Sequence, residues 1–308
     1  MNYLIAIVGP TAIGKSDLAL SLAEKVNGEI INSDSRQVYR FMSIGTAKPT
    51  PDDLRRVPHH LVDIINPDED YSLSIYHESA SRIIESIFKR FKQPLLVGGT
   101  GQYVWSVIEG WEVPEIKPDS QFRKQLEEKA AENGGQYLFE ELQRVDPEAA
   151  TKIMPTNIRR VIRALEIYRH SNTPASRLWK KKVPPFKTII IGLTRERKEL
   201  YERIDKRVDG MIKSGLVDEV KGLLSMGYSI DLPSMSGIGY RQIAMYLRRE
   251  LSLEEAIARI KTETHRFARR QYTWFKLTDP RINWFDVSGD IKDNIYNFLT
   301  ESIYKQGE

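Results

Sequence analysis

The chain has 308 residues, 41% of them hydrophobic and 29% charged, with a net charge of +4 and no cysteine. That length can bury one large α/β core, or a core with a smaller partner domain. A disulfide framework, thiolate metal sites and thiol catalysis are excluded, and no apolar run approaches the roughly 18–20 residues needed to span a bilayer.

Residues 1–8 lack a basic leader segment and run directly into Gly9, so they read as a core strand and not as a signal peptide. A cytoplasmic location is expected. Residues 4–8 form a short apolar run, and 16–25 carry helix-forming residues. Between them stands Gly9-Pro10-Thr11-Ala12-Ile13-Gly14-Lys15-Ser16, a P-loop in the strand–loop–helix context that the motif requires. In such a loop successive backbone N–H groups and a helix N-terminus converge on an anion, Lys15 adds a full charge, and the Ser16 hydroxyl can hold Mg²⁺. Residues 29–32 read as a second strand ending near Asp34. A helix over 75–91 leads into a third strand from Pro94, which stops at Gly98-Gly99-Thr100-Gly101.

Between Trp111 and Pro185 the strand signal nearly vanishes. Prolines punctuate helical patterns over 119–133 and 158–170. The core is therefore expected at 1–113 and 186–308, with an all-helical insertion at 114–185. A strand follows over 187–193, then helices over 199–214, 217–226, 239–249 and 253–276, and a last strand over 282–287. Alternating strands and helices predict an α/β fold with a P-loop-type parallel sheet, and ligands belong at the carboxyl ends of its strands.

Nucleotide-dependent phosphoryl transfer needs an acidic residue at a strand end near the loop. The strand that ends at Gly98 offers none. Asp34 is the strand-end carboxylate, able to act as a metal organiser or general base, or simply as a turn residue. Arg207 lies on a helix after a core strand, where arginines close over phosphates. Basic clusters at Arg159, Arg160 and Arg163, and at Arg241, Arg266, Arg269 and Arg270, fit either solvated helix faces or a surface for phosphates and unpaired bases. From the residues alone, a small-molecule or nucleotide kinase and a different reaction at a diphosphate both remain open.

Several segments resemble the bacterial tRNA dimethylallyltransferases over nearly the whole chain. They are GPTAIGKS from Gly9, DSRQVY from Asp34, IGTAKP from Ile44, PHHLVD from Pro58, GGTGQY from Gly98, RALE from Arg163, GYRQ from Gly239 and RRQYTW from Arg269. The resemblance implies transfer of a dimethylallyl group from dimethylallyl diphosphate to N6 of the adenosine 3′ of the anticodon, in tRNAs that read codons beginning with U. It implies a loop that holds an isoprenoid diphosphate with Mg²⁺, the metal reached by Ser16. Asp34 would be the general base, Thr100 would hold the reacting groups, and Lys15 and Arg207 would stabilise the departing diphosphate. The segments that meet the anticodon stem–loop would be Asp34, Ser35, Arg36 and Gln37, with Thr100, Arg123, Arg159, Arg160 and Arg163. The basic residues Arg241, Arg266 and Arg270 complete the expected RNA surface. Gln102 departs from the pattern, standing where many relatives carry leucine. No membrane partner is implied, and a monomer suits an enzyme that grips one tRNA.

Overall fold

A computed structural model describes residues 2–304; residues 1 and 305–308 of the expected core lie outside them. The chain divides into two compact units, 1–108 with 184–308, and 109–183.

The first unit alternates strand and helix. It runs through β1 (Tyr3–Val8), α1 (Lys15–Lys25), β2 (Gly28–Ser33), α2 (Pro51–Arg56), β3 (His59–His60), α3 (Leu73–Lys89), β4 (Gln93–Gly98) and α4 (Gly101–Ile108). The second unit holds β5 (Trp111–Glu112), α5 (Ser120–Asn133), α6 (Gly135–Val145), α7 (Pro147–Lys152), α8 (Ile158–Ser171), α9 (Ala175–Leu178) and β6 (Lys180–Lys181). The chain then returns through β7 (Lys187–Thr194), α10 (Arg197–Lys213), α11 (Leu216–Ser225), α12 (Tyr240–Leu247), α13 (Leu253–Trp274), β8 (Ile282–Asp286) and α14 (Lys292–Tyr304).

Among the described residues, six strands form one parallel sheet in the order β3-β2-β4-β1-β7-β8. Its central strands are apolar on both faces because helices cover both sides: every residue of β1 is buried, as is β2. Parallel pairing with helical crossovers delivers all the strand ends to one edge. There β2 and β4 run unusually close. A Cβ on Gly98 would lie 2.2 Å from the Ser33 carbonyl oxygen, so a glycine is what lets Thr100 N donate to that oxygen at 3.2 Å. This contact sets Asp34 and Thr100 side by side. No helix among the described residues is long and apolar enough to cross a membrane.

The second unit has its own core, built on Leu138, Leu142, Val161 and Leu165 from α6 and α8. The expectation of an all-helical insertion is corrected at its base. There β5 and β6 pair antiparallel, Trp111 opposite Lys181, and Trp111 meets Trp179 edge-on at 5.9 Å. Two-residue strands are too short to leave an alternating pattern in the sequence.

The organising polar group of this unit is Glu166, wholly buried on α8. Its carboxylate accepts from Asp119 N (2.7 Å), from Arg123 through both Nε and Nη2 (2.8 Å each), and from Arg163 Nη1 (2.5 Å). Burial pushes this carboxyl up, but the hydrogen bonds from Arg123, Asp119 N and Arg163 together hold it below its ordinary value. Glu166→Ala would strand two arginines that are themselves about a third exposed, so we expect a loss of about 2–3 kcal/mol. A group whose folded pKa is lowered stabilises above its unfolded value and loses that contribution as pH falls. Thermal melts of wild type and Glu166→Ala should therefore differ most near pH 7 and converge only below about pH 4, once the folded-state carboxyl is protonated.

Candidate active site

The loop after β1 folds as its sequence demands. Gly9 and Gly14 adopt φ of 142° and 108°, left-handed values that turn successive N–H groups toward one point ahead of α1. Lys15 curls back to donate to the Gly9 and Pro10 carbonyls at 3.0 and 2.8 Å. Burial pushes its amine down to about 7; Asp34 acts against that shift and Arg207 adds to it. Burial also lowers Arg207, again opposed by Asp34. One carboxylate thus faces two cations. Ser16 is exposed at the start of α1, with its hydroxyl open to a ligand or ion. Among the described residues no three acidic, histidine or cysteine side chains converge on a common metal position.

Asp34 is held by its neighbours. Its N–H donates to Asn32 Oδ1 at 3.1 Å, and its Oδ1 accepts from Arg36 N at 2.8 Å. Asn32 is buried and anchored through Nδ2 to the Leu61 carbonyl at 2.9 Å. Thr100 Oγ1 accepts from Ser35 N at 3.1 Å, which locks the threonine beside the carboxylate.

Two cavities meet at this point. The first, about 730 Å³, is lined by Asp34, Ser35, Arg36, Thr100 and Arg207, and by Arg241, Arg266, Arg270 and Trp274. Gln102, the departure noted above, lines it too. The second, about 660 Å³, contains the loop from Thr11 to Ser16 with Gln37, Arg203, Lys206 and the apolar side chains of Leu20, Ile30 and Val97. Asp34, Thr46, Gly99 and Arg207 belong to both. A carboxylate and an arginine therefore border both chambers.

The remaining basic residues fall into two groups. Arg266, Arg270 and Arg241 line the first cavity, Arg241 bound bidentately to Glu263 at 2.8 Å. Arg159 and Arg160 are exposed on α8, whereas Arg123 and Arg163 are committed to Glu166. Arg36 is turned onto the backbone of the 233–236 segment, donating to Pro233 O at 2.6 Å, and Gln37 Nε2 donates to Thr46 O and Ala47 O, both at 3.1 Å.

Sequence reasoning missed two residues of the site. Gln271, 4% exposed on α13, accepts from Thr11 N at 2.8 Å and donates to Gly99 O at 3.1 Å. It bridges the phosphate loop to the end of β4. Its signal was a polar residue inside the Arg269–Trp274 segment, on a face that helical spacing would bury. Arg203, one turn before Arg207 on α10, donates through Nε to Ala12 O at 3.0 Å. The four-residue spacing puts both arginines on one helix face.

Known proteins share this architecture and these segments. A family model described as IPP transferase matches residues 37–278, and one described as isopentenyl transferase matches 2–63. The tRNA dimethylallyltransferase of Roseiflexus castenholzii is 52% identical over 276 residues, covering 90% of each chain. That of Dehalococcoides mccartyi is 46% identical over 305 residues, covering 99% of this chain and 94% of the other. The crystal structure of the tRNA isopentenylpyrophosphate transferase of Bacillus halodurans superposes with a TM-score of 0.75 at 41% identity, covering 100% of this chain and 98% of that one. A eukaryotic dimethylallyltransferase acting on tRNA gives a TM-score of 0.84 at 30% identity, covering 99% and 80%. These matches do not favour the kinase alternative, and the chain belongs to the IPP transferase family of tRNA dimethylallyltransferases.

Proposed function

We propose that this enzyme moves the dimethylallyl group of dimethylallyl diphosphate onto N6 of the adenosine 3′-adjacent to the anticodon in tRNAs reading U-starting codons. The carrying observation is the shared wall of the two cavities, where Asp34 and Arg207 line both chambers. The diphosphate sits on the N–H groups of the loop from Gly9 to Ser16, with Lys15, Arg207 and Arg203 around it. The flipped adenine enters the other chamber, and an anticodon loop is already single-stranded, which lowers the cost of flipping.

In this reading the N6 lone pair forms a bond to C1 of the allyl group as the C1–O bond breaks. The bonding pair leaves with the diphosphate oxygen, toward Lys15 and Arg207. The N6 proton passes to the Asp34 carboxylate, because an aromatic amine is a poor nucleophile and gains from proton removal as the bond forms. Thr100, fixed by Ser35 N, holds the amine against that carboxylate. The exposed Ser16 hydroxyl at the start of α1 is a hard oxygen donor that would hold Mg²⁺ beside the diphosphate; bound there, the ion would neutralise phosphate charge. Arg241, Arg266 and Arg270 of the first cavity, and Arg159 and Arg160 on α8, supply charge for the RNA backbone. We place this action in a monomer in the cytoplasm.

Incubation with dimethylallyl diphosphate, Mg²⁺ and an unmodified anticodon stem–loop should add one C5H8 unit to a single adenosine, read by mass spectrometry of the digested RNA; no mass gain with folded enzyme would refute the proposal. Asp34→Ala should lower kcat by about 10²–10⁴-fold while RNA affinity, measured by filter binding, changes little. An equal loss in both would remove Asp34 from the role of base.

The lowered Lys15 amine gives a pH signature. A bound dianion raises the Lys15 pKa, so binding takes up a proton wherever the free amine is neutral. Affinity for inorganic diphosphate should then be full below pH about 7 and fall by up to about tenfold per unit above it. Calorimetric titrations from acid to alkaline pH on wild type and on Lys15→Met separate this slope from the ligand's own ionisation. Parallel slopes for the two proteins would contradict the assignment.

A further inference from the structure

The segment from Ser43 to Pro49 walls the reaction centre. Gly45 and Thr46 line the first cavity, and Thr46, Ala47 and Pro49 line the second. Thr46 thus stands beside Asp34 and Arg207 in the partition between donor and acceptor. It has no regular secondary structure to hold it, since the next helix, α2, begins only at Pro51.

What holds it is a side chain 174 to 176 residues further along the chain. Glu219, on α11, accepts from three consecutive backbone N–H groups of the turn. Its Oε2 takes Ser43 N at 2.8 Å and Ile44 N at 2.7 Å, and its Oε1 takes Gly45 N at 3.1 Å. The same Oε1 accepts the Tyr240 hydroxyl at 2.6 Å. Successive N–H groups on one anion form a nest, here filled by the protein's own carboxylate. Tyr240 is almost wholly buried and lies at the start of α12. Gln242, two residues on, caps the same helix by accepting from Gly239 N at 2.9 Å. Within the GYRQ segment, Tyr240 therefore reaches the turn through Glu219, while Gly239, Tyr240 and Arg241 also line the first cavity themselves.

We propose that Glu219 is a positioning residue for the transfer, fixing the Ser43–Thr46 turn so that Thr46 and Gly45 complete the acceptor chamber against Asp34. The proposal rests on the two-chamber reading above. The carboxylate itself lines neither cavity, so its effect reaches the substrates only through the turn. Both its oxygens are occupied; removing it releases three N–H groups at once, and a glutamine keeps one accepting oxygen for them. A turn so released would widen the partition and loosen the adenine, while the phosphate loop keeps its own contacts to Gln271 and Arg203.

The test separates the two halves of the site. Glu219→Gln, Glu219→Ala and Tyr240→Phe are assayed with dimethylallyl diphosphate and an anticodon stem–loop, each varied against saturating partner. Binding of inorganic diphosphate and the melting temperature are measured on the same samples. We expect Glu219→Ala to lower kcat/KM for the RNA by about 30–300-fold, Glu219→Gln by about tenfold and Tyr240→Phe by less, a graded series set by how many of the carboxylate's hydrogen bonds, to the turn and to Tyr240, survive. Diphosphate affinity should stay within about threefold of wild type in all of them, as its cradle is made elsewhere. Wild-type kcat/KM for the RNA in Glu219→Gln and Tyr240→Phe would overturn the proposal. So would equal losses in RNA turnover and diphosphate affinity, which mark general unfolding of the site; if Glu219→Ala does not fold, the two milder variants decide. An inactive wild-type enzyme would instead count against the transfer reaction itself.

Discussion

Backbone approach at the carboxyl edge of the sheet governs this protein. In β2 and β4 the paired residues Ser33 and Gly98 come close enough that only a glycine fits opposite the Ser33 carbonyl. Because Thr100 N can then bond Ser33 O, the residues after the two strands share one small volume with the loop after β1, which lies beside β4. A parallel sheet supplies such an edge in any doubly wound fold. Here it is tightened until a carboxylate, a hydroxyl and an anion cradle become neighbours, and the helices serve mainly to lock that arrangement. Gln271 does so most directly, one amide group tying the phosphate loop to the end of β4.

The parts of the site that were legible in the sequence are the ones written in local backbone chemistry. The phosphate loop needs its glycines at fixed spacing, and Asp34 and Thr100 each follow directly on an apolar strand. What escaped was contact between distant residues. Gln271 meets Thr11 across 260 positions and Glu219 meets Ser43 across 176, and no periodicity in one segment encodes its partner in another. The arginines show the same limit from the other side. Arg123 and Arg163 look like Arg159 and Arg160 in composition, yet a buried Glu166 claims the first pair and leaves the second exposed.

Secondary structure followed a similar division. The long amphipathic helices declare themselves by a polar face, so α3, α8, α10 and α13 fall where the pattern puts them to within a few residues. α4 did not. Its sequence GQYVWSVI is buried almost all round, so no polar stripe marks it, and it reads as a continuation of the glycine turn. Its burial has a cause: Tyr103 stacks on Tyr76 of α3 at 3.8 Å, which packs the helix that follows Thr100 directly against the sheet's cover.

Charge accounting explains why this loop suits a leaving group. Lys15, Arg203, Lys206 and Arg207 all border the second chamber, and apart from Asp34 the acidic side chains there are Asp17 at the start of α1 and Asp53 on α2. Asp53 is already engaged with Thr50 through the capping of its own helix. The chamber is thus short of negative charge, and within it burial, with Arg207 adding to it and Asp34 opposing, drives Lys15 down to about 7. A site in that state gains most from a ligand whose charge increases during the reaction. A diphosphate losing its allyl group does this, because the ester oxygen becomes an anion as the bond breaks. The β4 end carries Gly98 and Gly99 where phosphoryl transfer would use a carboxylate, so the backbone can approach the departing group with no opposing charge. On the proposed reading the carboxylate that takes the proton is Asp34, which borders both chambers.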